Sequence, residues 1–446
     1  MSKASGLLKM VRPITRKGWG HWLRFALLLT AAGYAGHLLK SSPWLTDFRY
    51  WIYHHQLMMR DRSNLYPKRT ALVLLNDDDY WGDSFQARSP LKRGELAGLL
   101  DKLRQAGVNT VALDVDLRSP HPNDPDFEFS DYQAEDGLFL DAVARMCDAG
   151  RHVVLASSVG FGDDGYVEMP SIYNAKPESA NAKPKSADQK TPQRNLTCIV
   201  PGYIQVPRDL RRIPGTLQLA NGGHLDSMSL AVTGIADRIA YDQASANSDE
   251  GFRFSEYLTE AEFAPKSGPQ FIFSGQQITA AKADALRQQL ADKLIFVGAS
   301  WHANAYGTGP LVDMWNSPGG MEPGVMLHAN YVEAMLDRTG TFTGVSDSTA
   351  ELIEIGLALV LAFIGVLEIH TAWKWAAFGI GIVLSILFTY TLLQNLGLFL
   401  DFAIPMLMIL AHAIVEEGMK MMHELRHLKH NAVHKQEAVA AGGEPS

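Results

Sequence analysis

Cysteine is nearly missing from this chain: Cys147 and Cys198 are the only two in 446 residues. So few exclude a cysteine-built metal framework and a disulfide-dense scaffold. An oxidising compartment permits one bridge between them; the alternative is two unpaired thiols, with Cys147 a core residue of "FLDAVARMCDAG". Catalytic signatures are missing too. Ser300 and His302 stand in "GASWHANAYG", but no G-x-S-x-G elbow frames the serine. No Walker loop occurs, and the glycine-rich "GTGPLVDMWNSPGG" (307–320) lacks the dinucleotide spacing. The expectation is a protein without an enzymatic activity of its own. Acidic residues are absent from the first forty positions, which hold seven basic ones.

Composition is ordinary on average, 47% hydrophobic and 20% charged, but it is segregated. Four stretches nearly free of charge approach the length of a bilayer span, about 20 residues. They fall at 22–40, 353–367, 372–393 and 396–415. The first resembles a signal peptide in length, yet no small-x-small cleavage site follows cleanly before "KSSPWLTDFRYW", so an uncleaved anchor is expected. The positive-inside rule then places the basic end in the cytoplasm. The expected organisation is a cytoplasmic N-terminus (1–21), a transmembrane helix (22–40), an extracytoplasmic domain (41–350), three transmembrane helices (351–415) and a cytoplasmic His-rich helix with a disordered tail (416–446). Residues 41–350 are more acidic than the whole chain's net −8. That argues against nucleic acid or anionic lipid head groups as their partner and favours cationic or neutral ligands, or metal ions.

The exported segment alternates apolar runs with amphipathic ones. "TALVLLNDDD" (70–79), "VNTVALDVDL" (108–117), "RHVVLASSVGF" (151–161) and "ADKLIFVGAS" (291–300) read as strands. Between them, Leu91, Leu96, Leu99, Leu100 and Leu103 share one helical face, and 135–150 and 322–336 also read as helices. Near-continuous apolar strands separated by such helices imply an α/β domain with a largely parallel sheet covered on both faces. "GGHLDSMSLAVTGIADRIAYD" (222–242) suggests a hairpin turning near Gly234, and the Pro- and Lys-rich stretch 175–195 a disordered insertion.

Ligands of open parallel sheets collect beyond the carboxyl ends of the strands. That edge gathers Asp77 and Asp78, Asp114 and Asp116, and Ser300 and His302 as candidate ligand-binding residues. Converging carboxylates suit a divalent cation such as calcium; otherwise they cap turns and helices, and no cofactor is required. In the tail, His423, Glu424 and His427 match the zinc signature H-E-x-x-H, with His423 and His427 as candidate metal ligands. A protease also needs a third ligand and a peptide cleft, which the short tail does not offer. The competing reading is a helix whose apolar stripe (Met419, Met422, Leu425, Leu428) pairs with a partner helix.

The order of motifs resembles the type-2 CHASE domain, an extracytoplasmic sensor module of bacterial receptors. "LLNDDD", "AGVNTVALDVDL", "GGHLDSMSLAVTGIADR", "DKLIFVGAS" and "MEPGVMLHAN" match the family's successive motifs over roughly residues 45–340. The resemblance implies a multi-pass protein of the bacterial cytoplasmic membrane, in contact with lipid, that takes an unknown small ligand or envelope protein outside. It also implies homo-oligomers, and it singles out Arg238, His328 and Asn330, which would serve as signal-relay residues; for His328 the alternative is a hydrogen-bonded core residue. Family members often continue into a cytoplasmic cyclase or kinase. Only about 30 residues follow Val415, so the expectation is a sensor that signals through a three-helix membrane bundle to a separate cytoplasmic effector. A structural envelope scaffold binding another envelope protein is the alternative.

Overall fold

Thr70–Leu75, TALVLL, is buried at every position but Leu74, which is half-buried. A run without a polar face packs only between two layers, so it becomes an inner strand of a parallel sheet. The computed structural model describes residues 42–58, 65–118, 132–162, 165–173, 194–245, 253–255, 258–337, 341–344, 371–396, 398–399, 422 and 425. The chain divides into two units, Tyr53–Gly344 and a second made of Met1–Ile52 with Val345–Ser446.

In the first unit, six strands form one sheet: β1 (Thr70–Leu75), β2 (Thr110–Asp114), β3 (His152–Ser157), β4 (Ile199–Tyr203), β5 (Ile272–Ser274) and β6 (Leu294–Ala299). Their order is β5-β1-β6-β2-β3-β4, and every neighbouring pair is parallel. The expected parallel α/β body is present. Helices α1 (Arg93–Gln105) and α2 (Tyr132–Asp148) pack on each other, and α2 packs on β3. Helices α3 (Met228–Ala236) and α5 (Gly324–Leu336) pack on each other; α3 lies on β2, β3 and β4, and α5 on β1 and β6. The short α4 (Gly275–Ala280) sits beside β1 and β5.

Local chemistry sets the boundaries. Helix α1 ends because Gly107 takes φ +89°, which lets Val108 N–H reach Leu103 O at 3.1 Å and Gly107 N–H reach Arg104 O at 3.1 Å. Gly298 lies under α5, where a Cβ would come within 2.5 Å of Val325 Cβ; its missing side chain lets helix and sheet approach. Glu333, in the last turn of α5, accepts the Arg69 N–H at 2.7 Å and the Thr70 hydroxyl at 2.9 Å, fixing the start of β1. Asp79 accepts the N–H groups of Gly275 at 2.9 Å and Gln276 at 2.8 Å, fixing α4 against the other end of β1.

Several expectations change. Residues 222–242 do not form a hairpin around Gly234: they run as a short strand, His224–Asp226, then α3 and a further helix, Arg238–Ser245. Ser227 caps α3 by accepting Leu230 N–H at 3.1 Å, and the apolar run after it is buried as a helix. Gly234 instead makes room for Tyr241, whose Cδ2 would lie 2.9 Å from an added Cβ. Cys147 and Cys198 are joined as a disulfide. The stretch 175–195 falls outside the described residues except for Arg194, bound to Asp141, and Asn195, bound to Asp148.

The larger correction concerns the four transmembrane helices. Among the described residues, no helix is long and apolar enough to cross a membrane. Apolar composition alone marked four stretches as spans, whereas a crossing needs a continuous apolar helix of about 20 residues. The stretch 372–393 lies in the helix Thr371–Leu396, whose polar Thr389 and Thr391 hydroxyls return to backbone carbonyls at 3.0 and 2.7 Å. Within 396–415, Leu398–Phe399 form a two-residue strand rather than a helix. The stretches 22–40 and 353–367, and the rest of 396–415, lie outside the described residues.

Candidate functional site

The chain leaves β1 for α1 and returns as β2, and β6 is inserted between the two. Such a reversal opens a crevice beyond the carboxyl ends of the strands. A cavity of 250 Å³ lies there. Tyr80 enters from the β1 exit and Asp114, Val115 and Asp116 from the β2 exit, while Ala299 and Trp301 follow β6. Ile204 and Val206 follow β4, and the segment Arg88–Leu91 comes from the approach to α1. Val312, Asp313 and Trp315 belong to the antiparallel hairpin region before α5, and Gly324 and His328 to α5 itself.

The charges in this space are unequally satisfied. Asp116 is bound by Arg118, Nη2 donating to Oδ2 at 2.6 Å; burial raises its carboxyl, but the guanidinium outweighs that and holds it low. Asp313 stands exposed at the rim in the left-handed region, φ +57°, which aspartate tolerates. It accepts the Trp315 indole N–H at 2.8 Å, yet desolvation still raises its carboxyl. A Cβ on Gly324 would strike Asp313 Oδ2 at 2.4 Å, so the glycine lets this carboxylate rest on the N-terminus of α5. Asp114 is different. Its carboxylate makes no hydrogen bond or ion pair among the described residues, and the surface it keeps faces the cavity. Burial, with the charge of Asp313 added, pushes it up to about 8. The basic Arg88 donates to Glu135 at 2.6 Å. His328 lies 3.0 Å from Ser229 Oγ through Nδ1 and 3.3 Å from Ile204 O through Nε2; burial lowers it to about 4, so it is neutral at pH 7.

The structure brings only some of the candidate residues together. Asp114 and Asp116 line the cavity; Asp77 pairs with His302 just outside it, the His302 N–H donating to Oδ1 at 2.7 Å. Asp78 is exposed, its carbonyl accepting Gln276 Nε2 at 3.0 Å, and Ser300 is tied through its N–H to Leu75 O at 2.8 Å. Asn330 is buried and clamps Leu258 through two hydrogen bonds of 2.9 and 3.0 Å. Arg238 stands on the surface, paired with Asp242 at 3.0 Å and over the Tyr241 ring at 4.4 Å, apart from the bonds that hold His328 and Asn330. Among the described residues no group of three or more His, Cys, Asp or Glu could hold a metal ion. His423 and His427 lie outside them.

Sequence reasoning missed Asp313, Trp315, Trp301 and Tyr80. The Trp301 and Tyr80 rings stack, with centroids 4.3 Å apart and planes 6° off parallel. A signal existed: "ASW" and "VDMW" put aromatics beside polar residues in glycine-rich loops, where binding residues concentrate. It pointed to no fold position until the hairpin was seen to return over the sheet edge.

A parallel sheet with helices packed on it and a 250 Å³ cavity beyond its carboxyl ends makes this a domain of the α/β class. The chain matches the family model of the CHASE2 domain over residues 25–367 and belongs to that family of extracytoplasmic sensory domains. No curated protein and no solved structure matches it.

Proposed function

We propose that this chain is a sensor that takes a small ligand in the cavity beyond β1, β6 and β2 and passes the occupancy to a separate effector protein, with no catalysis of its own. The observation that carries the reading is Asp114, a half-buried carboxyl without a partner among the described residues, facing a 250 Å³ space at the ligand edge of the sheet. The output route starts at the same walls. Asp313 and Trp315 lead through the hairpin Met314–Pro323 into α5, which carries His328. The tip of that hairpin meets His54 of the helix Pro43–Met58, whose Nδ1 lies 2.7 Å from Pro318 O. A ligand that repositions the hairpin therefore has two helices to act on. The disulfide and the acidic balance of residues 41–350 support a body outside the cytoplasm, and the basic first forty residues support attachment at the cytoplasmic membrane of a bacterium.

The test is a thermal-shift screen of the full chain against small polar molecules, repeated with the cavity-filling variant Ala299→Leu. Hits should raise the melting temperature of the wild type in proportion to occupancy and leave the variant unmoved. Hits that stabilise both equally would place the binding elsewhere and end this reading.

A scaffold role has one observation in its favour. The hairpin Val159–Gly162/Gly165–Glu168 exposes Phe161 at 80% beside Tyr166 and Val167. If assembly with another envelope protein were the function, Phe161→Asp would abolish it while ligand shifts persisted.

A further inference from the structure

The lining of the cavity also selects among ligand classes, an inference that rests on the cavity being the ligand site. Each other carboxylate there has a donor: Asp116 has Arg118, and Asp313 has the Trp315 indole. Arg88, the basic lining residue, is engaged by Glu135. Asp114 alone is left without a donor among the described residues, in the most enclosed position and with Asp313 nearby. An anion entering this space would find no free cation among the described residues, and it would make ionisation of Asp114 and Asp313, already disfavoured by burial, costlier still. A bare metal ion would need several converging oxygens, which no described cluster provides. A neutral molecule would leave Asp114 its proton and gain no charge pairing from it.

The remaining walls are aromatic and aliphatic. Tyr80, Trp301 and Trp315 all line the cavity, with Leu91, Ile204 and Val312 completing an apolar lining. Aromatic rings attract positive charge through their quadrupole, most strongly where water is excluded. At 250 Å³ the space is smaller than the roughly 300 Å³ at which drug-sized sites begin, so the ligand is small. We propose that the cavity binds a small organic cation, an alkyl- or arylalkylammonium, with Asp114 as its counter-charge and Trp301 and Trp315 against its apolar body.

The charge state supports the same geometry. In the free protein the Asp114 carboxyl holds its proton to about pH 8. The titratable and charged groups facing it from the packed elements are Tyr80, Arg88, Asp116, Asp313 and His328. His328 titrates near pH 4, so it does not change across neutral pH. An ammonium ion favours the ionised carboxyl, so binding releases a proton and tightens as pH rises from about 6 to 8.

The experiment is calorimetric titration of the full chain with butylammonium and 2-phenylethylammonium, alongside 3-phenylpropanol and 3-phenylpropionate as neutral and anionic analogues. Saturable binding of an ammonium probe is expected. Asp114→Asn should weaken it about tenfold or more, the worth of a charged hydrogen bond. Trp315→Ala, on the exposed rim, should weaken it as well and guards against misfolding at the buried position. Binding confined to the neutral or anionic analogue, and lost in Ala299→Leu, overturns the cation class and leaves the cavity reading intact. Ammonium binding indifferent to Asp114→Asn and Trp315→Ala overturns the class assignment too, and silence of every probe overturns both.

Discussion

His302 and Asp77 meet twice: the His302 N–H donates to Asp77 Oδ1 at 2.7 Å, and His302 Nδ1 lies 2.7 Å from Oδ2. The pair anchors the loop after β6 to the exit of β1. Within that loop Val312 N–H donates to Trp301 O at 2.8 Å, so the anchor also holds Trp301 and Asp313 at the cavity. Asp77→Ala removes both bonds and should destabilise the protein by about 1–3 kcal/mol, read as a lower urea midpoint at unchanged slope. Burial acts to raise the Asp77 carboxyl, but the backbone and ring bonds from His302 outweigh it and hold it low. Its contribution is therefore complete above the ordinary carboxylate range and disappears as pH falls through the lowered value. A wild-type acid transition no different from that of Asp77→Ala would show that the pair does not stabilise the fold.

Glu322 gives the opposite sign. It is buried in the hairpin before α5, accepts the Ser317 hydroxyl at 2.7 Å, and desolvation pushes it up to about 8. The folded state then holds a proton that the unfolded chain has released. Stability should fall as pH rises from about 4.5 to 8. Glu322→Gln should flatten that slope, and thermal melts at three pH values suffice to see it. An identical slope in the variant would mean the carboxyl is ionised in place.

Arg93 is fully buried, and its guanidinium binds Asp136 at the start of α2 and the carbonyl of Arg118 beyond β2. Its backbone N–H donates to Glu135 at 2.9 Å. Arg93→Met keeps the bulk but strands these partners, and it should cost about 3–5 kcal/mol, the range for breaking a buried ion pair. Equilibrium unfolding measures it; a loss under 1 kcal/mol, a surface-pair value, would mean water replaces the guanidinium.

The disulfide joins α2 to the approach of β4 across 51 residues. Reduction, or Cys147→Ala with Cys198→Ala, should lower stability by about 2–4 kcal/mol, chiefly by releasing the unfolded chain. Non-reducing mass analysis with alkylation checks the bond; two freely alkylated thiols in protein made in an oxidising compartment would contradict it.

Much of the α/β body could be read in advance because β1, β2, β3 and β6 are local statements. Each is an apolar run too short for a helix, closed by an asparagine, an acid or a serine. The terminal strand β5, Ile272–Ser274, is three residues long and had no such signature. The helical run of α3 was misread because Gly234 reads as a turn in sequence and as a packing notch against Tyr241 in space. Asp114 was legible as a strand-end carboxylate. That Asp116 is neutralised and Asp114 is not depends on Arg118 and the hairpin, which are decided outside either residue's neighbourhood.

By itself the sequence determined the alternation of buried strands and amphipathic helices, the basic first forty residues and the acidic body, because periodicity and charge act over a few neighbouring residues. Only tertiary structure decided that β6 lies between β1 and β2, that Trp301, Trp315 and Asp313 line one cavity with Asp114, and that Cys147 meets Cys198. The reason is physical: strand order, desolvation and pairing depend on groups far apart in the chain, whose proximity exists only once the core has formed.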